Sequence, residues 1–181
     1  MHAQPQAQFE YSGSPLGAST AAAPPFTAST EQAFFVTISS LFRRPLFLDP
    51  DAARAVARSQ ADAAIWGRSR CLAWVLMPDR WHGLVVMGEG DSLDPLVRRF
   101  KAISARGVES RFRINGWLWA KGYNERKLES QQDLLAVARH LVANPVRIGL
   151  VKSVGAYPYW DSVWLDGQHE SAWSQRKLAD G

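Results

Sequence analysis

The chain has 181 residues, 46% of them hydrophobic, so its length and composition fit one globular domain with a buried core. No apolar run is long enough to span a bilayer, and the amino terminus lacks the basic and apolar stretches of a secretory signal. Cys71 is the only cysteine, which excludes an internal disulfide framework. We therefore expect a cytoplasmic protein without a membrane partner.

The positive charge is unevenly distributed along the chain. Residues 1–33 contain no Lys or Arg and two of the 17 acidic residues, so the remainder carries all 21 basic residues against 15 acidic ones. This surplus is compatible with a polyanionic partner. Charge alone favours the simpler interpretation, a solvated basic surface.

The first predicted elements follow a low-charge segment. Residues 1–33, rich in Ala, Ser, Pro, Gly and Gln, are predicted to be disordered because they have little to bury. The β-branched and aromatic run 34–38 predicts a strand. After the break at Asp49 and Pro50, apolar residues at helical spacing predict a helix over 51–66.

Later elements are predicted in the same way. The apolar runs 71–77 and 84–87, separated by 78–83, indicate two paired strands. A second helix is predicted over 93–105, and 117–128 indicates a strand or extended chain. A third helix is predicted over 134–142, capped by Ser130 and ended by Asn144 and Pro145. We interpret His140 in this helix as a packing residue.

This order of elements predicts an α+β fold. Strand, helix, strand, strand, helix, strand is typical of a ferredoxin-like βαββαβ sandwich with an antiparallel sheet, here followed by a C-terminal helix. We expect four or five strands with the first two helices on one face, and a tail at 166–181. Such folds host many functions, so the function must be argued from the site.

Three blocks carry a resemblance to a known family. They are 77–85 (MPDRWHGLV), 119–123 (WAKGY) and 142–151 (VANPVRIGLV), the last followed by 157–160 (YPYW). In this order they resemble the REP-associated tyrosine transposases, a branch of the single-tyrosine HUH transposases linked to repetitive extragenic palindromes (REP). The resemblance covers about residues 34–165. It implies a domain that binds single-stranded or hairpin DNA and nicks and rejoins it through a 5′-phosphotyrosine.

The resemblance also implies site residues. It places the nucleophile at Tyr123. Two histidines of a His-x-His triplet share one face of a strand and hold a divalent ion beside the scissile phosphate. Here His82 matches the second histidine, but Arg80 stands in place of the first, and arginine has no lone pair for a cation. Glu125 is the candidate oxygen ligand for Mg²⁺ or Mn²⁺. Alternation turns Trp81 away from His82, into the core or towards a partner.

Several alternatives remain open. The protein is a nicking and joining transposase with a weakened metal site, or a domesticated DNA-binding protein that keeps the fold with impaired or no cleavage. An unrelated RNA-binding ferredoxin-like module would need an aromatic RNP1 strand, which the sequence lacks. Arg80 is a candidate phosphate contact, and both a monomer and a homodimer are compatible with the sequence. Further candidates for phosphate contacts form one basic stretch: Arg98, Arg99, Lys101, Arg106, Arg111 and Arg113.

Overall fold

The computed structural model describes residues 31–112, 117–129 and 131–164, without the side chains of 109–112 and 131–132. Predictions for residues 1–30, for the tail at 166–181, for the cap at Ser130 and for the side chains of Arg111 and Arg113 lie outside the described residues. Among the helices that are described, none is long and apolar enough to cross a membrane.

The described part of the chain contains five strands, five α-helices and three 3-10 helices of three residues each. The strands are β1 (Gln32–Ser39), β2 (Arg70–Met77), β3 (Arg80–Met87), β4 (Asn124–Leu128) and β5 (Trp160–Ser162). The helices are α1 (Pro50–Ser59), α2 (Ala63–Trp66), α3 (Leu93–Phe112), α4 (Gln131–Val142) and α5 (Asn144–Arg147). The order β1-α1-β2-β3-α3-β4 confirms the predicted βαββαβ arrangement, and α4 is the additional C-terminal helix.

The five strands form one antiparallel sheet in the order β4-β1-β3-β2-β5. Helices α1, α2 and α3 cover one side, which we call the helical face, and α4 packs against β2, β3 and β5 on the other. The first two predicted helices therefore lie on one face, as expected. We call the opposite side the His82 face. Its strand residues include Phe35, Thr37, Arg80, His82 and Leu84.

Two capping aspartates set the boundaries of the first helices. The Asp49 side chain accepts hydrogen bonds from the amides of Asp51 and Ala52, at 2.9 and 3.0 Å. Asp62 accepts in the same way from the amide of Ala64, at 2.9 Å. The predicted single helix over 51–66 is therefore two helices, because a second N-cap at Asp62 starts a new one. Strand β1 also begins at Gln32, two residues before the predicted start.

The β2–β3 hairpin is tighter than predicted. Only Pro78 and Asp79 separate the two strands, because β3 begins at Arg80 and pairs with β2 from Met77↔Arg80 onward. The polar residues of 78–83 thus belong largely to a strand rather than to a loop. Trp81, which is 1% exposed, points into the helical-face core, as alternation predicts.

Trp81 occupies its place because Gly83 lacks a side chain. A Cβ at Gly83 would lie 1.9 Å from Cη2 of Trp81, well inside van der Waals contact. The indole therefore lies over the glycine and packs against Phe100, with ring centroids 4.5 Å apart. This contact links the centre of the sheet to α3.

Candidate nucleic-acid interface

His82 lies in the middle strand of the sheet, partly accessible on the side away from α1, α2 and α3. Its Nδ1 is 2.8 Å from the hydroxyl of Thr37, the residue directly opposite on β1. Its ring stacks on Phe35, with centroids 5.5 Å apart and planes inclined by 18°. These contacts fix the orientation of the imidazole.

The surroundings of His82 keep it neutral. Burial is the largest cause that lowers its pKa, and the positive charge of Arg80 adds to it. Asp79 opposes them, and the pKa falls to about 4. At neutral pH the imidazole is therefore an uncharged hydrogen-bonding group.

Exposed arginines lie on two sides of His82 on the His82 face. Arg126 on β4 is opposite Phe35, so it shares the face of His82, and its side chain is exposed at the edge of the sheet. On the α4 side, His140 is close enough to depress the pKa of His82, and Nη1 of Arg147 lies 3.0 Å from Nδ1 of His140. His140 is exposed, so its interpretation as a packing residue is wrong.

Arg80 shares the face of His82 but is held by a carboxylate. Its Nε and Nη2 both donate to Asp79, each at 2.8 Å, and Nε of Arg43 donates to the same carboxylate at 3.3 Å. Two guanidinium groups around one carboxylate leave a net charge of +1 on the His82 face where β3 begins. The two arginines hold the pKa of Asp79 below its usual value, against the opposing effect of burial.

Tyr123 lies on the opposite side of the sheet from His82. It packs against the helical-face core, and its hydroxyl donates to Oδ1 of Asp94 on α3 at 2.6 Å. Burial, this hydrogen bond and the nearby Glu125 raise its pKa above the ordinary value. The structure therefore does not bring the predicted nucleophile and His82 into one site within one chain.

The predicted metal ligands are separated in the same way. Glu125 pairs with Val36, which belongs to the helical-face core, so it shares the face of Tyr123 rather than that of His82. Among the described residues, no three His, Cys, Asp or Glu side chains form a group that could hold a metal ion. His82 and Glu125 therefore lie on opposite faces of the sheet, because adjacent strand positions alternate in direction, and metal binding by either residue stays a prediction.

The basic stretch divides into structural and exposed residues. Nζ of Lys101 donates to the carbonyl groups of residues 120, 121 and 122 at 2.8, 2.9 and 2.9 Å, which uses all three of its protons. Nε of Arg99 donates to the carbonyl of Ile65 at 3.0 Å. Arg98 and Arg106 are exposed on the outer surface of α3 and stay candidates for phosphate contacts.

Sequence reasoning missed several groups of the His82 face. Thr37 could have been found from the sequence, since it lies two residues after Phe35 on a predicted strand and therefore shares its face. Arg126 and Arg147 carried no distinguishing pattern, because their positions depend on the pairing of β4 and on the short helix α5. The block 119–123 packs against α3, where the indole of Trp119 donates a hydrogen bond to the hydroxyl of Ser104 at 2.9 Å.

Comparisons with known proteins support the fold. No protein-family model matches the sequence, and no curated protein is significantly similar to it. A REP-associated tyrosine transposase, solved bound to a REP hairpin, superposes with a TM-score of 0.56 at 22% identity, over 71% of this chain and 75% of that one. A protein assigned as a transposase from Deinococcus radiodurans R1 aligns with a TM-score of 0.45 at 19% identity, over 61% and 88% of the two chains. The second likeness is too distant to carry an argument. The first shows that this chain has the fold of the REP-associated tyrosine transposases.

Proposed function

We propose that this protein binds single-stranded DNA folded into a hairpin, through its His82 face, and that it does not cleave this DNA with Tyr123. The observation that carries the proposal is the division of the predicted site. The arginines and His82 lie on one face of the sheet, and the tyrosine lies on the other.

The charges of the His82 face support phosphate binding. Arg126 and Arg147 are exposed, and the Arg43–Asp79–Arg80 cluster adds a net positive charge at one end. Guanidinium groups bind phosphate oxygens through paired N–H donors. A neutral His82 between them offers a hydrogen bond to a base or sugar without repelling a cationic neighbour. The REP hairpin bound by the protein of the same fold makes hairpin DNA the first ligand to test.

The position of Tyr123 supports binding without cleavage. A phenol attacks phosphorus most readily when a base or a metal ion favours its ionised form. Here the hydroxyl is next to the carboxylates of Asp94 and Glu125, which disfavour the phenolate. Cleavage by Tyr123 would also need a scissile phosphate on the helical face, away from His82.

The binding face is tested by comparing two pairs of substitutions that remove the same charge. Arg126→Ala with Arg147→Ala removes two cations from the His82 face, and Arg98→Ala with Arg106→Ala removes two from the surface of α3. We expect the first pair to weaken binding of a labelled hairpin at least about tenfold. It should also reduce the slope of log affinity against log salt by about 1.5. Fluorescence anisotropy at several salt concentrations measures both.

The second pair is the matched control. The sequence predicts phosphate contacts for Arg98 and Arg106 too, but binding through the His82 face leaves them on the other side of the sheet, so their removal should change affinity less than about threefold. A larger loss from the α3 pair would move the binding surface to the helical side and contradict the proposal. Equal affinity for the hairpin and for a random duplex would contradict hairpin recognition.

Cleavage is tested separately on the same hairpin with Mg²⁺ or Mn²⁺. We expect no covalent protein–DNA adduct that depends on Tyr123. An adduct formed by the unaltered protein and lost in Tyr123→Phe would restore the transposase alternative.

A further inference from the structure

A surface-exposed phenylalanine lies in the short turn after β1. Phe42 is 84% exposed, the largest exposure of any bulky apolar side chain among the described residues. Its backbone and that of Arg43 are in the left-handed region, with φ of 56° and 54°. Side-chain-bearing residues other than Asn and Asp rarely adopt this conformation, because it brings Cβ close to the following carbonyl oxygen.

Hydrogen bonds hold this turn in its strained form. The amide of Leu41 donates to the carbonyl of Leu118 at 2.9 Å, and the hydroxyl of Ser40 donates to the carbonyl of Arg44 at 2.7 Å. The amide of Ser40 also donates to the carbonyl of Asp79 at 2.9 Å. The turn is thus fixed at both ends, and the phenyl ring is held in solvent by a defined backbone.

The turn adjoins the positive end of the His82 face. Arg43 donates to the Asp79 carboxylate that also binds Arg80, so the turn and the start of β3 share one ionic cluster. Arg44 is exposed beside it. The neighbouring segment carries a second exposed ring, because Trp117 is 69% exposed and precedes Leu118, which pairs with Leu41.

We propose that Phe42 is a stacking platform for an unpaired nucleobase of the bound DNA, with Trp117 as a second ring and Arg43 and Arg44 facing its phosphates. This inference rests on the proposed function and specifies that the ligand has single-stranded nucleotides beside its hairpin. Exposed aromatic rings among guanidinium groups match the two parts of a nucleotide, a flat base and an anionic phosphate. An apolar protein partner would not require the surrounding positive charge.

The test uses one hairpin in three forms: blunt-ended, with four unpaired nucleotides at the 5′ end, and with four at the 3′ end. We expect the unaltered protein to bind one extended form about tenfold more tightly than the blunt form, the usual size of one base–ring stack. Phe42→Asn should abolish this preference. Asparagine tolerates the left-handed backbone, so this variant removes the ring while retaining the turn.

Further variants separate stacking from general apolar contact. Phe42→Tyr retains the aromatic face and should keep the preference, whereas Phe42→Leu should lose it. Leu48→Ala is the matched control, an apolar side chain of the same loop that is 48% exposed, and it should have no effect. A 2-aminopurine in the extension should lose fluorescence on binding, and should lose less with Phe42→Asn.

Each outcome distinguishes the two proposals. Equal binding of all three hairpins, unaffected by Phe42→Asn, overturns the stacking platform and leaves hairpin binding intact. Retention of the preference by Phe42→Leu overturns stacking in favour of simple apolar contact. Light scattering that shows a dimer dissociating in Phe42→Asn would assign the ring to a second copy of the chain instead. Failure to bind any of the hairpins overturns both proposals.

Discussion

The two faces of the sheet use their polar groups in opposite ways. On the helical face they are directed inward: Lys101 binds three carbonyl groups, Tyr123 binds Asp94, and Trp119 binds Ser104. On the His82 face the cations Arg126 and Arg147 are exposed around a neutral imidazole. One layer of β-strands thus supports a structural side and a side available to a ligand. The presence of a family-like block in a sequence therefore does not say which side of the sheet the block serves.

The contact that fixes the helical face gives the largest expected effect. Gly83→Ala places a methyl group against the indole of Trp81, which Phe100 and Trp66 confine. We expect a loss of about 3 kcal/mol in the free energy of unfolding, because an overpacked core has to shift rigid rings. Urea unfolding measures this loss.

Gly155→Ala is the matched control for that substitution. No heavy atom lies within 4 Å of a Cβ added at Gly155, so its effect should stay within about 0.5 kcal/mol. Equal stability of the two variants would show that Trp81 moves freely and that the helical face is not rigidly packed.

On the His82 face, the neutral state of His82 predicts that the free energy of unfolding depends on pH. The folded protein holds the His82 pKa at about 4, whereas the ordinary value of 6.5 applies after unfolding. Between these values the unfolded chain binds more protons, so stability is fully present above about pH 6.5 and is lost as the pH falls to 4. The loss attributable to this residue is about 3 kcal/mol.

The comparison with His82→Gln isolates this contribution. Carboxylates such as Asp79 also destabilise the folded state in acid, but they act in both proteins and cancel in the difference. We expect the unfolding free energy of the variant to fall less steeply between pH 6.5 and 4. Parallel curves for the two proteins would mean that His82 is protonated without penalty and is more solvated than its contacts indicate.

Tyr123→Phe gives the smallest effect and tests the structural role of the tyrosine. The change removes the hydroxyl that donates to Asp94 and keeps the ring in the core. We expect a loss of about 1 kcal/mol in thermal or urea unfolding, the usual value of such a hydrogen bond. Hairpin affinity should stay the same. Unaltered stability combined with weaker DNA binding would place Tyr123 at the nucleic-acid surface.

The sequence predicts the order of the helices and strands better than it predicts which candidate site residues lie together in space. Periodicity identified both long helices of the helical face and the inward direction of Trp81, because burial imposes a regular pattern on apolar residues. It failed at Arg80–Gly83, where a strand with one accessible side carries polar residues that are typical of a loop. Periodicity gave no direction for Glu125, because that direction depends on the register between β4 and β1, a contact between distant parts of the chain.

Strand β5 has a consequence for the order in which the fold forms. It pairs with β2 through Ala73↔Ser162, Trp74↔Asp161 and Val75↔Trp160, which joins residues almost ninety positions apart. The β2–β3 hairpin, by contrast, closes over two residues, and local pairings form before distant ones because they lose less chain entropy. During synthesis, the outer edge of β2 therefore lacks its partner until the chain beyond residue 162 has left the ribosome. Aggregation through this edge is a hazard of the nascent chain that the three residues of β5 remove.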